Sequence, residues 1–305
     1  MDISFLPELD PESSLYSERC ATFEAYANQK EKILEWISER FDEEITSQLV
    51  NTETEDRKVA LSVLGIGSGD GRIELKMLKK LMQRFRLIEC TVLEPSAERI
   101  TSYKKLVEEQ KDALTSVTFD WRQELIQDFC KANAGGSKKF HFVNAIHSCY
   151  FIPKHDLDFF LKVICGWTEG KVLIMQSAGT SIFLGLQNKF PKTMTLHPNQ
   201  KFIHGNQILD SLKTLGMHLQ TSVLPSECDI TSCFENDSTD GKRLLDFFLN
   251  VVGCEDNGPP NLLKMIREFL KSEGVSYTRN GRLYAPVPTQ VVIASTSKMI
   301  PNINK

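Results

Sequence analysis

Four glycines stand at alternate positions in the stretch VALSVLGIGSGDGRIELKML, residues 59–78, directly after an apolar run. Glycine adopts positive φ angles at little cost and lets a ligand approach the backbone closely, and the helix that follows presents free N–H groups. An acid, Glu94, ends the next apolar run in LIECTVLEPSAERI, residues 87–100. A carboxylate there can accept hydrogen bonds from the two hydroxyls of an adenosine ribose. The pattern predicts a cofactor site built on Gly65, Gly67, Gly69 and Gly71.

The spacing of the glycines narrows the choice of ligand. A nicotinamide or flavin site uses G-x-G-x-x-G, but Asp70 and Arg72 occupy the positions where either register needs its third glycine. The sequence also lacks G-x-x-x-x-G-K-[ST], which argues against a nucleoside triphosphate. A tight turn needs glycine for structural reasons alone, but the acid 23 residues beyond Gly71 favours a cofactor. An adenosine ligand without a pyrophosphate fits best, and S-adenosylmethionine is the common one.

Short apolar runs alternate with helical patterns from residue 59 onward. This alternation predicts an α/β fold with a parallel sheet covered on both faces, in which ligands bind at the carboxyl ends of the strands. Strands are predicted over 59–66, 86–93, 116–121, 139–146 and 170–177, with a late strand over 289–296. Helices are predicted over 72–85, 96–113 and 154–167, and two more precede the sheet, over 11–27 and 29–42.

Composition and charge exclude several classes of partner. The 305 residues include 36 Lys and Arg against 40 Asp and Glu, and the basic residues are dispersed, so we expect no nucleic-acid partner. The sequence lacks a signal peptide and any run of about 18 apolar residues, so we expect a soluble, cytoplasmic protein with no membrane partner. The eight cysteines and six histidines are scattered, so we expect reduced thiols and no metal site.

Several segments together resemble one family. LGIGSGDGRIEL, VLEPSAERITSYKKLV, DITSCF, LLDFFL and NGPP resemble the histamine N-methyltransferase family, in register from about Tyr16 to Ala294. The resemblance implies an S-adenosylmethionine-dependent small-molecule methyltransferase with a Rossmann-like, seven-stranded class I sheet, helices on both faces and an antiparallel last strand. It implies a cofactor-binding core over 51–225, of which 178–210 contribute to a smaller substrate lobe. Residues 1–50 supply helices to that lobe, and 226–305 supply further helices and the final sheet strand.

The resemblance also assigns cofactor contacts to particular residues, two of which depart from the family. Arg99 stands where the family has a glutamine, and Ile126 stands where it has a small hydroxylated residue near the adenine. These departures change the contacts expected at the edge of the adenine without removing the glycine loop or the ribose acid. The predicted cofactor contacts are Gly65, Gly67, Gly69, Glu94, Arg99, Ile126 and Ile146.

The substrate positions match the family poorly. In this register, the acid that anchors the ammonium group of the substrate becomes Gln29, a glutamine becomes His147, and an asparagine becomes Pro286. A neutral amide cannot neutralise a buried ammonium, and an unpaired buried charge costs several kcal/mol. We therefore expect an acceptor other than histamine.

Aromatic positions of the family pocket are retained, and each fits a flat substrate pocket or an ordinary core equally well. They are Tyr16, Tyr150, Phe151, Phe183, Phe190 and Phe247.

Methyl transfer requires little from side chains, because an in-line displacement depends largely on holding the nucleophile against the methyl group with water excluded. His147 is the candidate catalytic base, because an imidazole titrates near neutral pH, and a substrate contact is the alternative. We expect a monomeric N-methyltransferase that acts on an imidazole or another amine-bearing metabolite. An amino-acid-like substrate, an oxygen or sulfur nucleophile, and a catalytically inactive cofactor-binding protein stay open.

Overall fold

The computed structural model describes residues 6–10, 13–49, 60–133, 139–190 and 202–295. The chain divides into two compact units, and each is described by itself. The first comprises Met1–Lys32, Ser177–Asn206 and Val223–Gln290, and the second comprises Ile33–Gln176, Gln207–Ser222 and Val291–Lys305. Where the predicted ranges reach residues 11, 12, 59 and 296, they lie outside the described residues.

Helices and strands alternate through most of the described chain. The strands are β1 (Leu61–Ile66), β2 (Ile88–Leu93), β3 (Val117–Arg122), β4 (Phe140–Ile146), β5 (Thr168–Ser177), β6 (His218–Leu224), β7 (Glu227–Asp229), β8 (Tyr277–Arg279), β9 (Arg282–Pro286) and β10 (Thr289–Ser295). The α-helices are α1 (Ser14–Tyr26), α2 (Gln29–Glu39), α3 (Phe41–Glu44), α4 (Arg72–Leu81), α5 (Ala97–Glu109), α6 (Ile126–Asn133), α7 (Leu157–Trp167), α8 (Ile182–Lys189), α9 (Gly205–Thr214), α10 (Thr239–Leu249), α11 (Cys254–Asn257) and α12 (Pro260–Leu270).

The second unit is built on a seven-stranded sheet of order β3-β2-β1-β4-β5-β10-β6. β1 pairs in parallel with both β2 and β4, β2 pairs in parallel with β3, and β4 pairs in parallel with β5. Successive connections leave β1 on one side toward β2 and β3, and the chain then crosses to β4 and β5 on the other side. This reversal beside β1 is the switch point at which open α/β sheets bind ligands. The predicted Rossmann-like α/β fold is confirmed.

β1 is an apolar strand at the centre of this sheet. All of its residues except Ser62 are buried, as expected for a strand that is covered on both faces. In register, Ile66 at its end lies beside Leu93 of β2 and Ala145 of β4. The carboxyl ends of these three strands therefore meet at one edge, which is where the predicted site residues follow.

The predicted sheet strands are all present, with small differences at their ends. The late strand joins the sheet as β10, between β5 and β6. The helix predicted over 72–85 ends earlier, at Leu81, because the N–H groups of Gln83 and Arg84 bond three residues back in tighter turns. The sequence missed β6 at the edge of the sheet, where exposed and half-buried residues alternate and no apolar run marks the strand.

The first unit contains a small antiparallel sheet of order β7-β9-β8 and a separate apolar core, neither of which was predicted. Leu244, Leu245 and Phe248 of α10 are fully buried in this core. The first helix begins at Ser14 rather than at residue 11, and the Ser13 hydroxyl accepts a hydrogen bond from the Tyr16 N–H at 3.1 Å as its N-cap.

Candidate active site

Two of the four glycines, Gly65 within β1 and Gly71 before α4, are required by packing. A Cβ atom on Gly65 would lie 1.8 Å from a carboxylate oxygen of Glu74, and one on Gly71 would lie 2.0 Å from the ring of Tyr103. Gly71 also has a φ of +79° and is the N-cap of α4. These two glycines make room for side chains of the protein itself, so ligand approach is not what requires them.

Gly67 connects the glycine loop to its neighbouring strands. Its N–H donates to the Leu93 carbonyl at the end of β2, at 2.8 Å. A Cβ atom on Gly67 would lie 2.5 Å from the Cβ of Ser148, in the turn that follows β4. The loop therefore lies against the ends of both strands that flank β1.

Gly69 lies at the open part of the loop. Its φ is +59°, and the nearest atom to a Cβ built on it is a guanidinium nitrogen of Arg99 at 3.9 Å. The Gly69 N–H donates to Oε2 of Glu94 at 2.8 Å, and the Ser96 N–H donates to Oε1 at 3.0 Å. Glu94 is 4% exposed, so the two amide bonds hold a buried carboxylate at a fixed orientation.

This arrangement fits an adenosine ligand. A buried carboxylate that is oriented by two backbone amides is a suitable acceptor for the hydroxyls of a ribose. The two apolar candidates stand at the same sheet edge: Ile146 is the last residue of β4, and Ile126 opens α6 after β3, both half-buried. Arg99, in the first turn of α5, lies beside Gly69. The structure thus places the predicted cofactor residues at the carboxyl ends of four adjacent strands, β1 to β4.

His147 follows β4 directly and has an unusual backbone. Its φ is +52°, in the left-handed region that costs a non-glycine residue roughly 1–2 kcal/mol. Its N–H donates to the Met175 carbonyl of β5 at 2.8 Å. Its Nδ1 lies 2.6 Å from the Tyr150 hydroxyl, with the two rings stacked at 5.8 Å. Such strain recurs at functional sites.

The environment of His147 changes its expected chemistry. Burial lowers the pKa of its imidazole to about 4, because the charged form loses its hydration. The expectation that this ring titrates near neutral pH is therefore wrong. A neutral ring hydrogen-bonded to Tyr150 can contact a substrate, but it is a weak proton acceptor. Phe151 shares the short helical turn Cys149–Phe151 with Tyr150.

Gln29 and Pro286 lie close together in the first unit. The Gln29 Nε2 donates to the Val287 carbonyl at 2.7 Å, and the Ser226 hydroxyl donates to the same oxygen at 2.7 Å. Pro286 is the last residue of β9, one residue before Val287. Gln29 is buried and its amide is engaged with the backbone, a contact that no local sequence signal indicates.

Three of the predicted aromatic residues form one cluster in the first unit. Phe247 packs against Tyr16 and Phe183, with ring centroids 5.9 Å apart in both pairs. Phe23, which the sequence analysis missed, stacks on Phe247 at 4.9 Å. Its place on α1 is the signal that could have found it, because it lies seven residues, two helical turns, beyond Tyr16. Phe190 belongs to the same buried core as Phe23 and Phe183, and its ring packs against Phe269.

The described residues contain no group of three or more His, Cys, Asp and Glu side chains that could hold a metal ion. The eight cysteines all lie in the described part of the chain, and none of them forms a disulfide bond. Among the described helices, none is long and apolar enough to cross a membrane.

The reversal of the sheet beside β1, the glycine loop and the buried Glu94 define a Rossmann-like α/β protein with an adenosine-type site. Comparison with models of known protein families finds no match. Comparison with individual proteins finds several relatives. The chain is 33% identical to histamine N-methyltransferase A of Xenopus laevis, over 74% of this chain and 78% of that one. It is 31% identical to histamine N-methyltransferase B of the same species, over 74% and 78%, and 27% identical to carnosine N-methyltransferase 2 of Gallus gallus, over 89% and 87%.

The chain belongs to the histamine N-methyltransferase family. It is accordingly an S-adenosylmethionine-dependent small-molecule N-methyltransferase, as the motifs predicted.

Proposed function

We propose that the enzyme N-methylates an imidazole-bearing or other amine-bearing metabolite other than histamine. The observation that carries this proposal is the 2.7 Å hydrogen bond from Gln29 to the Val287 carbonyl. Gln29 is neutral, buried and engaged with the backbone, so it supplies no negative charge for the ammonium group of histamine. The relatives named for histamine and for carnosine, two compounds that each contain an imidazole ring, support the acceptor class.

We assign the methyl donor to the second unit. S-adenosylmethionine supplies, when bound, a methyl group on a positively charged sulfur. Glu94, oriented by the Gly69 and Ser96 amides, is assigned the ribose hydroxyls. The open face of the loop at Gly69 gives the ligand access to the backbone. The remaining proposed contacts are Gly65, Gly67, Arg99, Ile126 and Ile146.

The low pKa of His147 narrows the acceptor class within this proposal. A base with a pKa of about 4 cannot deprotonate an alkylammonium, whose pKa is near 10.4 in lysine. An imidazole, with an ordinary pKa near 6.5, already carries a free ring lone pair at neutral pH. We therefore assign His147 and Tyr150 to hydrogen bonding and orienting the acceptor, with no proton transfer required of His147.

The first unit is assigned the flat apolar contacts to the acceptor. Tyr16, Phe183 and Phe247 form a continuous aromatic cluster with Phe23, and flat rings of this kind suit a planar acceptor. The other proposed acceptor contacts rest on the resemblance to the family alone. They are Gln29, Pro286, Phe151 and Phe190.

The cytoplasmic location is a proposal for this enzyme. The monomeric state and the absence of a nucleic-acid partner stay predictions.

Transfer of a labelled methyl group from S-adenosylmethionine to a panel of acceptors tests the proposal. The panel contains histamine, an imidazole dipeptide, an imidazole amino acid, alkylamines, phenols and carboxylates. We expect the highest kcat/KM for an imidazole compound other than histamine, and its pH dependence should follow the pKa of the acceptor ring.

Histamine as the best acceptor would contradict the proposal, as would transfer confined to phenols or carboxylates. Donor binding without transfer to any acceptor would favour an inactive binding protein. Tyr150→Phe should raise KM for the acceptor several-fold, while His155→Asn, at an exposed histidine, serves as the matched control and should leave KM unchanged.

A further inference from the structure

A buried acid lies beneath the glycine loop. Glu74 stands in the first turn of α4 and is 2% exposed. It shares the buried stripe of that amphipathic helix with Leu75, Leu78 and Leu81, where an apolar side chain is the usual choice. The assigned chemistry of methyl transfer gives this carboxyl group no role.

The hydrogen bonds of Glu74 reach two separate elements around the loop. The Asn144 side chain of β4 donates to Oε1 at 2.8 Å, and the Tyr103 hydroxyl of α5 donates to Oε2 at 3.1 Å. Asn144 also donates to the Leu64 carbonyl of β1 at 3.4 Å. Glu74 therefore connects β4 to α5, and its partner Asn144 extends the connection to β1.

The same group fills the space beneath the loop. Its carboxylate oxygen occupies the position where Gly65 would otherwise carry a side chain, and the ring of its partner Tyr103 does so at Gly71. Gly65 therefore lies directly on Glu74, and Gly71 lies directly on Tyr103. Gly69, whose amide orients Glu94, lies between them in the loop.

Burial of the Glu74 carboxyl group costs free energy unless hydrogen-bond donors surround it. Desolvation raises the pKa of the Glu74 carboxyl, and repulsion from Glu94 raises it further, while hydrogen bonds from Asn144 and Tyr103 lower it. Removing the acid would leave the donors on Asn144 and Tyr103 buried without it, which is the expensive outcome for a polar cluster.

We propose that Glu74 is a positioning residue for the methyl donor. By joining Asn144 and Tyr103 under the loop, it fixes the path of the backbone that carries the Gly69 amide, and through it the orientation of Glu94. It touches neither the donor nor the acceptor in this proposal, which rests on the assignment of the donor to the glycine loop.

Calorimetric titration of S-adenosylhomocysteine into the full-length protein, together with donor kinetics, tests the role. We expect Glu74→Ala to raise the dissociation constant and KM for S-adenosylmethionine about tenfold, with kcat at saturating donor changed less than about twofold. Glu74→Gln keeps the shape of the side chain and a carbonyl acceptor. Its dissociation constant and its KM for S-adenosylmethionine should therefore stay within about threefold of the wild-type values. Tyr103→Phe, which removes one hydroxyl, should raise the dissociation constant about threefold.

Leu81→Ala is the matched control, because it removes a fully buried side chain from the other end of the same helix. It should lower the melting temperature and leave the dissociation constant unchanged. Wild-type affinity in Glu74→Ala or in Tyr103→Phe would overturn the proposal, as would an equal loss of affinity in Leu81→Ala or in Glu74→Gln. Absence of binding to the wild-type protein would instead refute the donor site itself.

Discussion

The Gly69 N–H donates to Oε2 of Glu94 at 2.8 Å, which joins the loop after β1 to the acid at the end of β2. The two strands are paired in parallel up to Ile66 and Leu93, so the bond adds a connection between them beyond the end of the sheet. The Glu94 carboxylate is therefore buried, held in one orientation and adjacent to Gly69. The two features that the sequence singled out separately are therefore one structural unit.

Packing at Gly71 makes this glycine more sensitive to substitution than its backbone angle alone would. Gly71→Ala combines a φ of +79° with a Cβ atom 2.0 Å from the buried Tyr103 ring. Gly216→Ala is the matched control, because its φ is +70° and no atom lies within 4 Å. We expect Gly216→Ala to cost roughly 1–2 kcal/mol and Gly71→Ala to cost clearly more. Urea unfolding measures both, and equal losses would contradict the packing argument.

The low pKa of His147 predicts a specific dependence of stability on pH. The ring has an ordinary pKa near 6.5 in the unfolded chain and a pKa of about 4 in the folded protein. Between these values the unfolded state binds more protons, so the free energy of unfolding falls as the pH falls. His147→Asn, which tolerates the left-handed backbone, should reduce this slope between pH 6.5 and 4 by up to about 1.4 kcal/mol per pH unit.

The control for that experiment is His155→Asn at an exposed position. Its free energy of unfolding at neutral pH should stay within about 0.5 kcal/mol of the wild-type value, as for most exposed substitutions. An unchanged slope in His147→Asn would mean that the ring is not buried in its neutral form.

The sequence predicted the fold well because its signals are local and strong. Apolar runs such as the one over β1, with glycines after them, indicate parallel strands wherever the chain places them. It could not predict the state of His147 or the location of Glu74, because both depend on distant partners. Glu74 stands on the apolar stripe of α4, but whether a buried acid finds Asn144 and Tyr103 is decided by the tertiary structure.

The contacts of the predicted substrate residues also depend on partners that are distant in the sequence. The replacement of an acid by Gln29 was visible in the sequence, but its hydrogen bond joins residues 258 apart in the chain. Phe190 and Phe247 have the same residue type, and only the tertiary structure shows that Phe190 packs against Phe269 and Phe247 against Tyr16.

The hydrogen bond from the Gln29 side chain to a backbone carbonyl predicts that an acid is poorly tolerated at this position. In Gln29→Glu, a carboxylate oxygen replaces the donor that lies 2.7 Å from the Val287 carbonyl. We expect a loss of about 1–3 kcal/mol in the free energy of unfolding at neutral pH. Ser226→Ala removes the second donor to the same oxygen without adding charge, and should cost about 0.5–1.5 kcal/mol. Wild-type stability in Gln29→Glu would show that the amide is not needed by Val287.

Titration calorimetry with S-adenosylhomocysteine tests the donor site most directly. We expect one molecule to bind to the wild-type protein and to Glu89→Ala, a control at an exposed acid on the same strand. Glu94→Ala should weaken binding by about 100-fold, because it removes two hydrogen bonds from ribose hydroxyls to a charged group. Absence of binding to the wild-type protein, or unchanged affinity in Glu94→Ala, would contradict the assignment of the methyl donor to this loop.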